Sequence, residues 1–337
     1  MRAARRTLPV VLIGAAALVA AACGNGSTSA AAGGGGSELA LVAYSTPQAA
    51  YAKLIKAFQA TPAGKGVTFK QSYGGSGDQS RAVASGLKAD VVAFALEPDI
   101  TRLVKAGLVD ASWNSGPTKG MVTDSVVVIG TRKGNPKNIR TWDDLVKPGV
   151  EVLTPNPFTS GGARWNVMAA YGAKSAHGKQ TAKGMAYLNT LFHNVPVQDD
   201  SARKSLQTFT QGKGDAFLSY ENEAIFAQKN GQAIDYTIPD STILIENPIA
   251  VTKNSKNAAK AKAFIDFLLT PPAQKIFAES GYRPVVKGAG GPAFKDPADL
   301  FTIQDLGGWS AVTTTFFDPV KGALVDVERE LGVSVKK

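Results

Sequence analysis

The chain has 337 residues, a formal net charge of +10 and a single cysteine. This length is enough for two domains, because a single hydrophobic core rarely grows beyond about 250 residues. The composition is that of an ordinary globular protein, which excludes a disordered or fibrous chain. Lysine and arginine are interleaved with acidic residues, so the charge indicates a solvated basic surface and not a nucleic-acid-binding track.

Residues 1–22 have the pattern of an export signal. Met1–Arg6 carries three arginines, and Leu8–Ala22 is an apolar segment that ends in small residues. The segment is too short and too rich in alanine to predict a membrane-spanning helix. Its removal lowers the net charge from +10 to +7, because three arginines and no acidic residue are lost.

Cys23 follows this segment directly and cannot form an internal disulfide. The run from Ala20 to Gly24 resembles a bacterial lipobox, although that motif more often has leucine at the position of Ala20. The resemblance implies a diacylated Cys23 at the new N-terminus, and two acyl chains give stable anchoring. An unmodified cysteine beside an ordinary signal-peptidase site is the alternative. Residues 23–37 then predict a lipidated cysteine and a flexible linker, which would hold the protein outside the cell membrane.

The first part of the remaining chain alternates between strands and helices. This alternation predicts a mostly parallel sheet that is covered by helices on both faces. The predicted strands are Leu39–Tyr44, Val67–Ser72 and Ala89–Ala95, and the predicted helices are Ala50–Phe58, Gln79–Gly86 and Leu103–Leu108.

A second α/β unit begins after the strand Ser125–Gly130. Its predicted helices are Trp165–Tyr171, Lys183–Phe192 and Ser205–Gln211, and Ala216–Tyr220 is a strand. Apolar segments around Pro248 indicate that the chain then crosses back. We therefore expect two lobes with a ligand-binding cleft at the carboxyl ends of their strands. Lobe I is predicted to comprise residues 38–123 and 248–337, and lobe II residues 124–247.

Two glycine- and serine-rich loops stand between a strand and a helix, one in each predicted lobe. They are Gly74–Gly77 and Ser160–Gly162. Glycine lets the backbone approach a bound group closely, and the first turn of a helix has unpaired N–H groups and a partial positive charge. The pattern favours an anion-binding site with the Ser160 hydroxyl as a further donor. A glycine-rich turn with a serine N-cap is the alternative reading.

An ordered set of motifs across residues 40–310 resembles the bacterial sulfate- and thiosulfate-binding proteins of ABC importers. The motifs are Gln71–Gly77, Ala89–Val92, Arg132–Pro136, Trp142–Gly149, Pro155–Pro157, Ser160–Asn166, Tyr220–Ala224, Tyr282–Pro284 and Phe301–Ile303. The resemblance implies the two-lobed periplasmic-binding-protein-like fold, a ligand between the lobes, an ABC permease as partner, a monomer, and neither cofactor nor metal.

The resemblance also implies a ligand set made mostly of backbone donors. The implied N–H donors are Ser45, Ser76, Gly161, Gly162 and Ala202, together with the Ser160 hydroxyl. Tyr220 stands where the family usually has a tryptophan that donates its indole N–H. Arg164 and Arg203 would neutralise the anion from outside these contacts, and pairing with acidic residues at the surface is the alternative. Two further departures are Ser201, where glycine is common, and Asp78, where a basic residue is often found.

A cavity lined only by donors suits sulfate, because hydrogen phosphate carries a proton that needs an acceptor. Asp78 would supply that acceptor if it faced inward, although a solvated position near a helix start is expected. Other oxyanions, namely thiosulfate, molybdate or phosphate, remain alternative ligands.

We do not expect an enzyme. Neither loop fits G-x-S-x-G, because Asp78 and Phe158 occupy glycine positions, and no phosphate-binding P-loop is present. His177 and His193 are the only histidines, in settings typical of surface residues. An exported hydrolase that uses Ser76 or Ser160 is the alternative from another class.

Overall fold

The computed structural model describes residues 37–335. The predicted export signal, Cys23 and all but the last residue of the predicted linker lie outside these residues. Within them, the strands are β1 (Glu38–Tyr44), β2 (Thr68–Gly74), β3 (Val91–Ala93), β4 (Met121–Arg132), β5 (Val152–Leu153), β6 (Ala216–Tyr220), β7 (Ile234–Thr237), β8 (Ser241–Val251) and β9 (Asp299–Phe301).

Helices connect most of these strands. They are α1 (Gln48–Gln59), α2 (Ser76–Ala84), α3 (Glu97–Lys105), α4 (Gly161–Lys174), α5 (Thr181–His193), α6 (Ala202–Thr210), α7 (Glu221–Lys229), α8 (Ala258–Leu268), α9 (Pro271–Glu279), α10 (Gly308–Phe316) and α11 (Ala323–Glu330), with short 3-10 helices at Trp142–Val146 and Ile303–Leu306. No helix in this region is both long enough and apolar enough to cross a bilayer.

The strands are ordered β2-β1-β3-β8-β4-β6-β5, with β7 beside β4 and β9 beside β8. β1 is parallel to β2 and β3, whereas β8 is antiparallel to both β3 and β4. The end of β8 therefore belongs with β1–β3, and its middle pairs with β4. β4 and β8 are the two long strands that join the halves. The predicted α/β, two-lobed fold is confirmed, with a mixed sheet because of these antiparallel crossings.

Each half has its own apolar core. Phe58 and Phe264 pack together in the first half, at 5.2 Å between ring centroids. Trp165 and Leu188 are in the core of the second half. The C-terminal segment joins that second core through Trp309, whose ring lies 4.6 Å from that of Trp165. The lobe boundaries at residues 123/124 and 247/248 stay a prediction.

Candidate anion-binding site

Three helices begin at one place in the cleft. Ser76, Gly161 and Ala202 are the first residues of α2, α4 and α6. Each helix is preceded by a residue with an extended backbone, which turns the chain sharply into the helix. The first N–H groups of a helix have no intrahelical partner, and each helix start carries about half a positive charge. Three such starts together form a strongly anion-attracting point.

A small cavity lies where these helices meet, and it brings together six of the seven predicted ligand residues. Its lining is Tyr44, Ser45, Thr46, Gly74, Gly75, Ser76, Ala95, Ser160, Gly162, Ala202 and Tyr220. Gly161, the seventh, lies against the same point, since a Cβ there would be 3.1 Å from Ser76 Cβ. None of these lining residues carries a charge. An anion in this cavity would therefore be held by dipoles alone.

The predicted backbone donors are available. Across residues 37–335, no acceptor takes the N–H groups of Ser45, Ser76, Gly161, Gly162 or Ala202. These groups are buried or nearly so, and an unpaired buried N–H costs free energy comparable to a lost hydrogen bond. A bound oxyanion would remove that cost.

The three serine hydroxyls have different roles. Ser160 Oγ accepts from the Ala163 N–H at 3.3 Å and keeps its own hydrogen to donate. Ser76 Oγ is already used, because it donates to Asp99 Oδ2 at 2.6 Å and accepts from the Ala95 N–H at 2.9 Å. Ser76 can therefore offer only its backbone N–H. Ser45 Oγ accepts a 3.4 Å bond from the Arg203 N–H.

Direct contacts close the cavity between the two halves. The Gly77 N–H donates to the Thr159 carbonyl at 3.1 Å. A Cβ on Gly75 would lie 2.7 Å from the Asp200 carbonyl oxygen, and one on Gly161 would lie 2.5 Å from Leu96 Cδ2. Real Cβ atoms do not tolerate such distances, so glycine is needed at both positions for the halves to meet.

Tyr220 is fully buried, and its hydroxyl has no hydrogen-bond partner among the described residues. The Tyr44 hydroxyl is in the same situation, and the two rings lie 6.3 Å apart. Burial raises the pKa of Tyr220 well above its usual value, so the phenol keeps its proton and remains a donor.

Comparison with known proteins identifies the class of protein. A profile of bacterial extracellular solute-binding proteins matches residues 39–283. The chain belongs to this family. It is 44% identical to the sulfate-binding protein of Synechococcus elongatus over 83% of each chain. It is 37% identical to the thiosulfate-binding protein of Escherichia coli, over 75% of this chain and 79% of that one.

A solved structure agrees with this family. The sulfate-binding protein SubI from Mycobacterium tuberculosis superposes with a TM-score of 0.81 and 46% identity, over 84% of this chain and all of that one. The prediction that the chain is not an enzyme is confirmed, because the family consists of solute-binding proteins. Ser76 also donates to a carboxylate, and neither histidine lines the cavity.

The two predicted neutralising arginines of this solute-binding protein lie outside the cavity lining. Arg203 forms two 2.8 Å bonds with Glu223 and donates to the Thr46 carbonyl at 2.9 Å. Arg164 is buried, and its Nε donates to the Pro157 carbonyl at 2.8 Å. Both can act on an anion only through their charge.

Asp78 does not line the cavity, because it pairs with Arg81 at 2.5 Å on the side of α2. The carboxylate that would favour a protonated oxyanion is therefore outside the site. Ala95 supplies a carbonyl near the cavity, but it already accepts from Trp165 Nε1 at 2.7 Å and Asn247 Nδ2 at 3.0 Å.

Sequence reasoning missed Asp99, Thr159 and Asn247. Asp99 accepts a hydrogen bond from the Ser76 hydroxyl. The Thr159 carbonyl accepts one from the Gly77 N–H, and the Asn247 side-chain amide donates one to the Ala95 carbonyl. Only Asp99 has a local signal, since it stands in the first turn of α3 directly after β3. The contacts of the others join residues far apart in the chain.

Proposed function

We propose that this protein captures sulfate outside the cytoplasmic membrane and delivers it to the membrane subunits of an ABC importer. The observation that carries the proposal is a closed cavity with no charged lining residue, at which three helices begin. The similarity to sulfate-binding proteins over most of the chain supports sulfate as the ligand.

The binding energy is sufficient for such a site. Five unpaired N–H groups and the Ser160 hydroxyl give six donors. A hydrogen bond to a charged group contributes about 1.5–3 kcal/mol net. Six of them offset the cost of removing water from the anion and of closing the lobes. A micromolar dissociation constant requires about −8 kcal/mol, which this donor set can supply.

Selectivity follows from the lack of a carboxylate acceptor in the lining. Sulfate carries no proton near neutral pH, whereas hydrogen phosphate would direct its O–H at another donor. The Ala95 carbonyl already accepts two hydrogen bonds, and Asp78 is outside the cavity. Thiosulfate is the second candidate, because a thiosulfate-binding protein is 37% identical to this chain.

In this proposal, both predicted lobes supply residues of the binding site. Ser45 and Ser76 come from the predicted lobe I, and Ser160, Gly161, Gly162, Ala202 and Tyr220 come from the predicted lobe II. Lobe closure then assembles the complete donor set.

A lipid at Cys23 and a tether over residues 23–37 would keep the loaded monomer near its permease. Replacing Cys23 with alanine should release the protein from the membrane fraction, as an immunoblot of fractionated cells would reveal.

A competition titration tests the ligand. Calorimetry with sulfate, thiosulfate, molybdate and phosphate at pH 7 should give sulfate the highest affinity and phosphate an affinity weaker by at least about a hundredfold, or about 2.7 kcal/mol. Ser160→Ala should weaken sulfate binding, and Lys65→Gln, an exposed change of one charge, should not. Phosphate binding within tenfold of sulfate would contradict the proposed site.

A further inference from the structure

A second cavity, of about 560 Å³, lies beside the start of α4 and shares no lining residue with the first. Its size is typical of small-molecule sites. α2, α3, α4 and α10 contribute to its wall. Four of its lining residues are basic, namely Arg81, Arg102, Lys105 and Arg164, and two are acidic, Glu97 and Asp318.

Arg164 is the unusual member of this set. Arg81 pairs with Asp78 at 2.5 Å, and Arg102 pairs with Asp99 at 2.8 Å. Arg164 has no carboxylate partner among residues 37–335, although it is only 9% exposed. Its Nε is bonded to the Pro157 carbonyl at 2.8 Å. The Nη1 and Nη2 groups, the two ends of the guanidinium fork, have no acceptor in the described region.

The carboxylates nearby do not neutralise Arg164. Asp99 attracts the charge of Arg164 electrostatically, but the Asp99 oxygens are hydrogen-bonded to Ser76 and Arg102 and not to Arg164. Asp318 accepts from the backbone N–H groups of Val320 and Lys321. Glu97 forms no ion pair in the described region, and burial raises its pKa. No carboxylate on the cavity wall therefore accepts a hydrogen bond from the Nη groups of Arg164.

A buried guanidinium without a counter-charge is costly, by several kcal/mol in real proteins. Burial lowers the pKa of Arg164 to about 10, which still leaves it charged at neutral pH. The side chain is nevertheless held firmly, because its guanidinium also stacks over the Phe317 ring at 4.8 Å from the centroid. A guanidinium that is fixed and charged and has unpaired Nη groups is suited to binding the carboxylate or phosphate group of a ligand.

The remaining wall indicates the rest of the ligand. Phe158, Trp309 and Phe317 also line the cavity, each no more than 5% exposed, so three aromatic residues form part of its wall. A bare inorganic ion would fill only a small part of a cavity of about 560 Å³. We propose that the cavity binds a small organic anion, whose acidic head pairs with Arg164 and whose apolar body lies against these three rings. This second site goes beyond the proposed capture of sulfate.

Phenyl phosphate is a suitable probe, since it combines a dianionic head with one aromatic ring. The full chain, purified in detergent, would be titrated by calorimetry without sulfate and with sulfate at about 100 times its dissociation constant. We expect phenyl phosphate to bind in both conditions and to change the fluorescence of Trp309. Benzyl alcohol, which lacks the charge, should not bind.

Two variants test the position of the ligand. Arg164→Gln should weaken phenyl phosphate binding by at least about tenfold, or 1.4 kcal/mol, whereas the matched surface change Lys65→Gln should leave it unaltered. Thr314→Trp adds bulk to an exposed lining residue and should also weaken binding, and it leaves Arg164 in place in case Arg164→Gln fails to fold.

The outcomes separate the two sites. Binding of phenyl phosphate that disappears when sulfate is saturating would overturn the second site, because the probe would then be in the first cavity. Binding that survives both cavity variants, or no binding at millimolar probe, would overturn it as well. If sulfate itself did not bind but phenyl phosphate still required Arg164, the second site would stand and the proposed function would fall.

Discussion

The Ser76 hydroxyl donates a 2.6 Å hydrogen bond to Asp99 and is therefore committed to the protein scaffold. Ser76→Ala would leave the buried Asp99 oxygen and the Ala95 N–H without this partner, but would keep the Ser76 N–H in the cavity. We expect a loss of about 1–3 kcal/mol in the free energy of unfolding. Sulfate affinity should fall by less than about tenfold, or 1.4 kcal/mol.

Urea denaturation and calorimetry on the same samples would measure both effects of Ser76→Ala. Ser160→Ala is the matched comparison, since its hydroxyl keeps a hydrogen to donate. Ser160→Ala should lower the free energy of sulfate binding by more than it lowers the free energy of unfolding. The assigned roles would be wrong if the two variants showed the same ratio of affinity loss to stability loss.

Gly161 and Gly162 provide a test of lobe closure by the same substitution at adjacent residues. A Cβ on Gly161 would lie 2.5 Å from Leu96 Cδ2 and 2.7 Å from Ala95 Cβ, whereas one on Gly162 would have nothing closer than 3.5 Å. Gly161→Ala should therefore keep the lobes apart and reduce sulfate affinity by at least about a hundredfold.

Small-angle X-ray scattering with saturating sulfate would measure the radius of gyration of both glycine variants. We expect Gly162→Ala to contract like the parent protein and Gly161→Ala to stay expanded. Equal contraction by the two variants would show that Gly161 does not limit closure.

The sequence predicted the class of fold and the loops of the site, but it placed three helix starts too late. Apolar spacing predicted starts at Gln79, Trp165 and Ser205, whereas α2, α4 and α6 begin at Ser76, Gly161 and Ala202. The first turns face the cavity with small residues, so no apolar period marks them. These turns are the very segments that carry the donors.

The contacts that hold the site could not be predicted from local patterns. Asp99 bonds to Ser76 across 23 residues, and Arg203 bonds to Thr46 across 157. The resemblance to a known family suggested the ligand residues, and it suggested charge neutralisation for Arg203. In the structure this arginine joins residues of both halves, a role that depends on how the halves meet.

Tyr220 offers a test in which stability and affinity change in opposite directions. Its buried hydroxyl has no partner within residues 37–335, and an unpaired buried hydroxyl costs about 1–3 kcal/mol. Tyr220→Phe should therefore raise the free energy of unfolding of the ligand-free protein. If the hydroxyl donates to the anion, the same change should weaken sulfate binding by about tenfold.

Thermal unfolding without sulfate and calorimetry with it would measure the two effects of Tyr220→Phe. Tyr187→Phe is a control at a buried tyrosine whose hydroxyl already donates to the Trp142 carbonyl at 2.6 Å. It should lower stability and leave affinity unchanged. Unaltered sulfate affinity in Tyr220→Phe would remove Tyr220 from the ligand set.

Arg203 should control how long the closed state lasts. Its Nε and Nη2 donate to the two carboxylate oxygens of the fully buried Glu223, and Nη2 also donates to the Thr46 carbonyl in the other half. Arg203→Lys keeps the positive charge but cannot make all three bonds. We expect the sulfate dissociation rate to rise by about tenfold, because the loss of one charged bond is worth 1.5–3 kcal/mol.

Stopped-flow chase with excess unlabelled ligand would give the dissociation rate of the Arg203 variant. Arg203→Ala should in addition lower stability by about 3–5 kcal/mol, since it leaves Glu223 buried and unpaired. Lys204→Ala, at an exposed neighbour that pairs with Asp200, should change neither quantity markedly. An unchanged dissociation rate in Arg203→Lys would mean that this contact does not limit opening.

Glu328 on α11 should make stability depend on pH. Its side chain is completely buried, and only Oε2 has a partner, Gln198 Nε2 at 2.7 Å. Burial raises the pKa of Glu328 to about 7, above the value of about 4.3 in an unfolded chain. The folded protein therefore binds this proton more tightly than the unfolded chain. The resulting stabilisation is complete below about pH 4 and is lost as the pH rises through 7.

Urea denaturation at pH 5.5 and pH 7.5 would measure this effect in the parent protein and in Glu328→Gln. The titration of Glu328 should contribute on the order of 2 kcal/mol to the loss in the parent between the two values, and the variant should lack this contribution, because glutamine does not titrate. Burial also raises the pKa of Asp124 to about 7, so some dependence on pH should persist in the variant. Asp326→Asn, at an exposed carboxylate on the same helix, should behave like the parent. If Glu328→Gln showed the full pH dependence of the parent, Glu328 would have to be charged in the folded protein.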